Sequence, residues 1–196
     1  TSDSEVIIHL IAHSKAGSFL ARAMDALNQV RGAFSVVLLT DNGLMAARDP
    51  YGLRPLCLGR VRSSWIVASE TCAFDLLDAE YVREIEPGEL VVISDQGLDS
   101  HRPFPKMDQA MCVFEYVYFA RPDSTISNRN VYKVRVEMGR QLARENPVEA
   151  DIVVPVPDSG NYAALGYSEQ AKIPFEIAFI RNHYVGRSFL QPSQLI

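Results

Sequence analysis

FSVVLLTDNGLMAA, residues 34–47, is the stretch that decides the fold class of the amino-terminal half. An apolar, β-rich run from Phe34 to Leu39 is followed by Asp41-Asn42-Gly43, and a second apolar run extends from Leu44 to Ala47. Asn-Gly between two such runs is typical of a tight hairpin, because both residues tolerate the positive φ angles that the turn requires. The stretch therefore predicts two antiparallel strands.

Helical spacing precedes this hairpin. Ser2 and Glu5 have the spacing of a capping box, and apolar residues recur at helical intervals from Val6 to Ile11. Gly17 interrupts the pattern, which then repeats over residues 19–30. We expect helix on both sides of Gly17.

Short apolar runs alternate with turn residues after the hairpin. Strands are predicted at residues 56–58, 65–68, 81–85 and 90–93, with a short helix at residues 71–77. The last two strands are expected to pair across the turn Glu86-Pro87-Gly88, as part of an antiparallel meander buried on at least one face. Residues 96–106 are polar and contain two prolines, so they are predicted to be a connector.

The pattern changes again in the carboxy-terminal half. The elements predicted there are a turn at residues 121–124, a helix at 131–145, a strand at 151–156, a turn at 158–160, a helix at 162–171 and a strand at 175–180. Strand, turn, helix and strand in this order begin a parallel α/β sheet. The fold class is therefore mixed α/β (α+β), and we expect two domains, residues 1–108 and 109–196.

Composition excludes several classes of protein. The 196 residues are 47% hydrophobic, enough for a buried core, and the formal charge of −5 argues against wholesale nucleic-acid binding. The apolar runs are strand-sized, which argues against a membrane span. Cys57, Cys72 and Cys112 are odd in number and widely spaced, so we expect free thiols in a reducing cytoplasm.

Two segments have residues suited to binding phosphate. Asp158 and Ser159 lie at a predicted strand-to-helix turn, where they could contact phosphate, a ribose hydroxyl or magnesium. The same residues are also preferred helix N-caps, and that alternative stays open. The loop from Arg181 to Phe189 has two arginines, whose guanidinium groups donate paired hydrogen bonds to phosphate, although an ordinary exposed loop would look the same.

Other residues have simpler interpretations. Asp3 could bind the α-amino group of a small substrate or could cap the first helix. The turn-rich segment RDPYGLRPL, residues 48–56, is expected to be an ion-paired bend between strands. Cys112 lies in an apolar run and would by default be a small core residue.

Several of these segments together resemble one family, glutamine phosphoribosylpyrophosphate amidotransferase. RDPYGLRPL is similar to other amidotransferases, whereas YVYFARPDS at residues 116–124 and the Asn-x-Tyr-Val-Gly-Arg loop are far more specific to this family. The remaining similar stretches, in family order, are TSDSE at residues 1–5, GAFS at 32–35, ASETCA at 68–73, EPGE at 86–89 and PVPDSG at 155–160.

The resemblance implies an architecture and a reaction. The architecture is part of an N-terminal-nucleophile glutaminase, an αββα sandwich, joined to the start of a type I phosphoribosyltransferase domain. In the reaction, ammonia released from glutamine displaces pyrophosphate from phosphoribosyl pyrophosphate (PRPP) and gives 5-phosphoribosylamine. The nucleophilic cysteine and the Asp-Asp loop that grips PRPP would lie outside this chain, so we expect the chain alone to be inactive.

The resemblance also implies roles for particular residues. Asp3 would bind the α-amino group of glutamine, Ser159 would contact the Mg²⁺–PRPP complex beside Asp158, and Cys112 would be one of four ligands of a [4Fe–4S] cluster. The residues that match the loop over PRPP are Arg181, Asn182, His183, Tyr184, Gly186 and Arg187. His183 replaces the commoner Arg at a position that also contacts purine nucleotide inhibitors in the family, so feedback inhibition would become pH-sensitive.

The resemblance implies a homo-oligomer, a tetramer in the family, that binds glutamine and PRPP and has neither nucleic-acid nor membrane partners. A catalytically degenerate homologue acting as a scaffold is the alternative, although such a protein has no chemical reason to keep Asp3, Ser159 and Arg187 together.

Overall fold

The computed structural model describes residues 3–184 and 186, with side chains from Ser4 onward. The chain divides into two compact units. The first unit comprises the residues up to 115 together with 124–128, and the second comprises 116–123 and the residues from 129 onward. Among the helices of the described segments, none is both long and apolar enough to cross a membrane.

The first unit contains three helices and seven principal strands. Its elements are α1 (Asp3–His13), α2 (Phe19–Gln29), β1 (Ser35–Thr40), β2 (Gly43–Arg48), β3 (Cys57–Val61), β4 (Ser64–Ala68), α3 (Cys72–Asp75), β5 (Glu80–Glu84), β6 (Leu90–Ser94) and β7 (Gly97–His101). The predicted helices on both sides of Gly17 are confirmed as α1 and α2. The predicted hairpin is also confirmed, because β1 and β2 pair antiparallel from Ser35↔Arg48 to Thr40↔Gly43.

The predicted pairing of residues 81–85 with residues 90–93 is wrong. β5 pairs with β3, whereas β6 pairs with β2 and β7, so the two strands belong to different sheets. The sheet orders are β1-β2-β6-β7 and β4-β3-β5. The physical reason is burial: Ile85 and Val91 belong to the same apolar cluster, which lies between facing sheets rather than along one ladder.

The predicted connector at residues 96–106 is also wrong in part. β7 pairs antiparallel with β6 across a turn at Asp95 and Gln96, with Ser94 opposite Gly97. The strand is polar because it lies at the edge of its sheet, where Asp99 and Ser100 are exposed. A polar edge strand resembles a loop in sequence, since only one neighbour and little apolar burial specify it.

Side-chain alternation along β2 produces the layers of the first unit. Met45 and Ala47 pack against α1 and α2, whereas Ala46 packs towards Leu58 of the other sheet. On the next residue of β3, a Cβ at Gly59 would lie 2.7 Å from the ring of Phe74 in α3. The order helix, sheet, sheet, helix therefore follows from the period of two along each strand, and it agrees with the expected αββα sandwich.

The segment RDPYGLRPL has the structural role that the sequence predicts. Arg48 is fully buried and donates hydrogen bonds to the carbonyl oxygens of Arg54, Gly52 and Ile85 at 2.7, 3.0 and 2.8 Å. Its Nη1 also lies 3.3 Å from Oε2 of Glu84. One guanidinium thus holds the bend between β2 and β3 to the end of β5.

Glu89 is a second buried charge of the first unit. Its carboxylate accepts hydrogen bonds from Arg83, from Ser100 and from the backbone N–H of Glu86. Burial opposes ionisation, but the hydrogen bonds outweigh it and lower the pKa of Glu89 from 4.5 to about 2. Ionised Glu89 therefore stabilises the fold.

The sign of this shift predicts a dependence of stability on pH. Because the folded pKa lies below the usual 4.5, the contribution of Glu89 is complete above that pH and is lost as the pH falls towards about 2. We expect the free energy of unfolding of Glu89→Gln to be lower than that of the wild type at pH 7. The difference between the two proteins should shrink as the pH falls from 4.5 to about 2. Urea unfolding at a series of pH values measures it, with the exposed Glu86→Gln as control. If the difference in unfolding free energy between the wild type and Glu89→Gln stayed unchanged down to about pH 2.5, the lowered pKa of Glu89 would be contradicted.

The second unit is built around two helices. Its elements are a π-helical turn (Glu115–Phe119), which starts at the last residue of the first unit, the short strand β9 (Arg129–Asn130), α4 (Val131–Glu145) and α5 (Asn161–Ala171). The short strand β8 (Thr125–Ile126) belongs to the first unit. The predicted helices at residues 131–145 and 162–171 are confirmed. The helices pack at very short range, since a Cβ at Gly139 would lie 1.9 Å from the carbonyl oxygen of Ala163.

The two strands predicted around α5 reduce to a single parallel bridge between Val153 and Phe175. Val153 N–H donates to the oxygen of Pro174 and the N–H of Glu176 donates to the oxygen of Val153. The predicted strands at 151–156 and 175–180 are therefore wrong in extent within the described residues. Pro155 and Pro157 supply no N–H, so the ladder cannot continue through them.

Candidate functional site

A pocket of about 750 Å³ lies wholly within the second unit. Its lining combines three arginines, five aromatic or proline side chains, and polar residues of the turn before α5. The lining residues are Tyr118, Phe119, Ala120, Arg121, Pro122, Arg135, Pro157, Asp158, Ser159, Tyr162, Arg181, Asn182 and Gly186.

The turn before α5 forms one side of the pocket. Gly160 N–H donates to the oxygen of Val156 at 3.1 Å, and Asn161 N–H donates to the oxygen of Asp158 at 3.3 Å. The Pro157–Asp158 peptide bond is cis. The N-cap position of α5 is Gly160, so the capping alternative for Asp158 and Ser159 does not hold. Both residues line the pocket instead.

Positive charge dominates the lining. Arg181 Nη1 lies 3.3 Å from Oδ2 of Asp158, and both side chains are more than half exposed. Arg121 donates two hydrogen bonds to Asp123, at 3.0 and 2.8 Å, and these lower the pKa of Asp123. Arg135 is buried and bonds to backbone carbonyl oxygens. Guanidinium groups held at one pocket suit a ligand with several phosphate oxygens.

Aromatic side chains line the same pocket, and Tyr118 and Phe119 together are called the aromatic wall below. Tyr118 and Phe119, at the end of the π-helical turn, contact edge to face with ring centroids 6.0 Å apart. Tyr162 of α5 makes a similar contact with Tyr132 at 5.4 Å. Aromatic side chains exclude water from a pocket and strengthen the interactions of the charged groups beside them.

The residues predicted to form the loop over the ligand do not all line the pocket. Arg181, Asn182 and Gly186 line the pocket, so three of the predicted contacts come together with Asp158 and Ser159. His183 and Tyr184 are exposed in the adjoining turn, where Tyr184 N–H donates to Oδ1 of Asn182. Arg187 lies outside the described residues.

The other predicted site residues belong to the first unit. Asp3 is the first residue of α1, and its side chain is not among those described. Cys112 is half-buried, and its N–H donates to the oxygen of Leu53. Cys57 and Cys72 are buried, and burial raises the pKa of the Cys57 thiol to about 12. Within the described segments, His, Cys, Asp and Glu side chains form no cluster of three or more that could hold a metal ion.

Sequence reasoning missed Arg121, Arg135 and Tyr162. Arg135 lies at an ordinary position of a helix rich in charged residues, and the helical period does not distinguish its burial from the partial exposure of Arg140 or the exposure of Arg144. Only the 4% exposure of Arg135 in the folded chain does so. For Arg121, the Arg-Pro-Asp turn could have indicated a side chain held in a fixed position, because Pro122 restricts the backbone beside it.

The similarity to known proteins extends over the whole chain. The chain is 49% identical to an amidophosphoribosyltransferase of Rhizobium etli and 53% identical to one of Mycobacterium tuberculosis, with all of the chain matched in each case. The structure superposes on a glutamine PRPP amidotransferase from B. subtilis, complexed with ADP and GMP, with a TM-score of 0.92 and 45% identity over 99% of the chain. The chain belongs to the amidophosphoribosyltransferase family.

Two further findings concern the extent of this family match. Residues 1–75 match a glutamine amidotransferase domain, which lies in the first unit. The chain spans 40% of the Rhizobium relative, 37% of the Mycobacterium relative and 43% of the B. subtilis structure. The similarity to amidophosphoribosyltransferases thus covers both units, whereas more than half of each relative's length lies outside the chain.

Proposed function

We propose that the protein is an amidophosphoribosyltransferase, in which ammonia from glutamine displaces pyrophosphate from PRPP to give 5-phosphoribosylamine, the first committed step of purine synthesis. The observation that carries the proposal is the pocket of the second unit. It places Arg121 and Arg181 around the turn at Asp158 and Ser159, in a chain that matches this family along its whole length.

Each part of the pocket has a task in this reaction. The arginines bind and orient the phosphate groups, and their positive charge stabilises the negative charge that collects on the departing pyrophosphate. The N–H groups at the start of α5 add a positive partial charge on the same side. Tyr118, Phe119 and Tyr162 give the pocket apolar surface, which displaces water when the ligand binds and so limits its competition with ammonia for the same carbon.

Magnesium fits the turn before α5. Mg²⁺ in enzymes is held by one or two protein oxygens together with substrate phosphates, rather than by a closed cage of side chains. Asp158 supplies a carboxylate and Ser159 a hydroxyl at the pocket surface, so these two residues would hold a Mg²⁺–PRPP complex. The ion would neutralise pyrophosphate charge as the leaving group departs.

An iron–sulfur cluster is a separate proposal for Cys112. Such a cluster needs four thiolates. Cys112 could supply one of them, because it is a free cysteine that is only half-buried. Cys57 and Cys72 do not fit the cluster, because both are buried and their thiols already bond to Ala68 and Glu70. Loss of the visible absorbance of the purified protein in Cys112→Ser would support ligation, and unchanged absorbance would contradict it.

The proposal assigns the two halves of the reaction to the two halves of the chain. Residues 1–108 would be the carboxy-terminal part of the glutaminase domain, with Asp3 binding the α-amino group of glutamine. Residues 109–196 would be a linker and the start of the phosphoribosyltransferase domain. The protein would act in the cytoplasm as a homo-oligomer, which size-exclusion chromatography with light scattering would test.

Purine nucleotides are the proposed regulators. The B. subtilis relative was solved with ADP and GMP bound, and the same pocket chemistry suits a nucleotide phosphate. His183, Tyr184 and Arg187 would belong to the loop that contacts such inhibitors. A GMP inhibition constant that rises by a larger factor in His183→Ala than the KM for PRPP does would support this role; equal inhibition of both proteins would contradict it.

One pair of variants tests the whole assignment in the full-length protein. Arg181→Ala is expected to raise the KM for PRPP between about tenfold and a hundredfold, because a charge-assisted hydrogen bond contributes about 1.5–3 kcal/mol. Asp3→Ala is expected to raise the KM for glutamine and to leave ammonia-driven synthesis unchanged. PRPP-dependent release of glutamate and formation of phosphoribosylamine measure both.

Each variant is the control for the other. If Arg181→Ala changed the KM for glutamine and PRPP equally, the pocket would not be the PRPP site. If the wild-type protein released no glutamate in the presence of PRPP, the proposed reaction would fall, and the scaffold alternative would replace it.

A further inference from the structure

We propose that Arg135 is a positioning residue that holds the π-helical turn, and with it the aromatic wall, against the pocket. Its proposed effect on substrate binding rests on the function proposed above, whereas its effect on the turn does not. Arg135 lies on α4, is 4% exposed, and lines the same pocket as Tyr118 and Phe119.

The contacts of Arg135 explain the role. Its Nε donates a hydrogen bond to the carbonyl oxygen of Tyr116, and its Nη2 donates one to the carbonyl oxygen of Ala120 at 2.8 Å. These two carbonyls lie near the start and just beyond the end of the π-helical turn. Carbonyl groups at a helix end lack partners within the helix, and a buried carbonyl without a partner costs about 1–3 kcal/mol. Arg135 therefore ties both ends of the turn to one helix.

The geometry requires arginine rather than any cation. Two carbonyls four residues apart are reached by two nitrogens of one planar guanidinium, whose rigid fork loses little entropy for the second bond. A lysine at this position has one ammonium on a flexible stem, so it would satisfy one carbonyl well and leave the other. Lysine would keep the positive charge and change only the hold on the turn.

The same helix also holds the opposite side of the pocket. Gly139, one turn after Arg135, lies directly against Ala163 of α5, and a Cβ at Gly166 of α5 would lie 1.9 Å from the carbonyl oxygen of Val136. The first turn of α5 carries Tyr162 beside Asp158 and Ser159. α4 is thus the common support for the aromatic wall and for the phosphate-binding turn.

Arg135 differs in this respect from the other pocket arginines. Arg121 and Arg181 are exposed and pair with carboxylates, which a phosphate ligand can replace. Two of the three nitrogens of Arg135 are bonded to backbone oxygens inside the fold. Arg135 acts on the substrate through the wall that it holds.

The test compares Arg135→Lys with Arg140→Lys in the full-length protein. Arg140 is on the same helix but pairs with Glu137 and Glu169 at the surface, so it is a matched control. Backbone hydrogen exchange of residues 116–122 is the first measurement. We expect it to be at least about tenfold faster in Arg135→Lys than in wild type, and unchanged in Arg140→Lys.

Kinetics of ammonia-driven phosphoribosylamine synthesis are the second measurement. For Arg135→Lys we expect the KM for PRPP to rise about tenfold with kcat reduced less than threefold, and the thermal midpoint to match that of Arg140→Lys within a few degrees. Equal exchange rates in the two variants would overturn the positioning role. Faster exchange with unchanged KM would show that the wall does not contact PRPP.

The two proposals fail separately. If the wild type has no PRPP-dependent synthesis, the proposed reaction fails, yet the exchange comparison still decides whether Arg135 holds the turn. If Arg135→Lys loses the cooperative unfolding that Arg140→Lys keeps, Arg135 is a residue of the general fold and the positioning role is rejected.

Discussion

Gly139→Ala is expected to destabilise the second unit by about 3 kcal/mol, although alanine is the better helix former by about 1 kcal/mol. A Cβ at this position of α4 would lie 1.9 Å from the carbonyl oxygen of Ala163 and 2.7 Å from its carbonyl carbon. Both atoms are backbone, so relief requires the two helices to move apart. The contact therefore reverses the sign that helix propensity alone predicts.

Urea unfolding of the wild type and the variant measures this effect as a shift in midpoint at constant slope. Gly17→Ala is the matched control, because a Cβ there meets nothing within 4 Å, and we expect a change within about 0.5 kcal/mol. Gly166→Ala repeats the test from the other helix, since its Cβ would lie 1.9 Å from the carbonyl oxygen of Val136. A gain of stability in Gly139→Ala would contradict the close helix contact.

Arg48→Met is expected to cost about 3–5 kcal/mol of stability in the first unit, the range found when one partner of a buried ion pair is removed. Methionine fills similar space without donors, so the carbonyl oxygens of Gly52, Arg54 and Ile85 lose their hydrogen bonds inside the fold. Glu84 also loses its cation at 3.3 Å. The bend between β2 and β3 and its link to β5 weaken together.

The control for Arg48 is a surface arginine whose ion pair is shorter than the 3.3 Å of Arg48 and Glu84. Arg102 Nη2 lies 2.5 Å from Oε2 of Glu86, with both side chains more than half exposed. We expect Arg102→Met to change the free energy of unfolding by less than about 1 kcal/mol, because water replaces the lost partner. Denaturant midpoints of the two variants compare the sites directly. A similar loss of unfolding free energy in both variants would show that burial does not make the contacts of Arg48 more stabilising than those of Arg102.

Several elements could be predicted because their cause is local. Asp41-Asn42-Gly43 predicts a hairpin wherever it stands between two apolar runs, and β1 and β2 confirm it. The helices α4 and α5 follow from helical spacing over 15 and 11 residues, which is long enough to be distinctive. Asp158, Ser159 and Arg181 line one pocket, and the segments that precede them run side by side at the parallel bridge between Val153 and Phe175.

Other elements depend on choices between equally good local solutions. A turn such as Glu86-Pro87-Gly88 connects β5 to β6 whether the chain returns along the same sheet or crosses to the facing one. β7 is polar because it lies at an edge, and an edge strand and a loop look alike in sequence. The π-helical turn has the same apolar composition as the strand-sized runs elsewhere in the chain.

The sequence by itself determined the family, the hairpin, the principal helices and the turn before α5, because each depends on neighbouring residues or on a motif that the chain contains whole. Only the tertiary structure decided which strands share a sheet, that Arg48 and Arg135 are buried, and that Arg121 and Tyr162 join the pocket. These features depend on residues far apart along the chain, whose contacts are set by burial of apolar surface and by the need to give each buried polar group a partner.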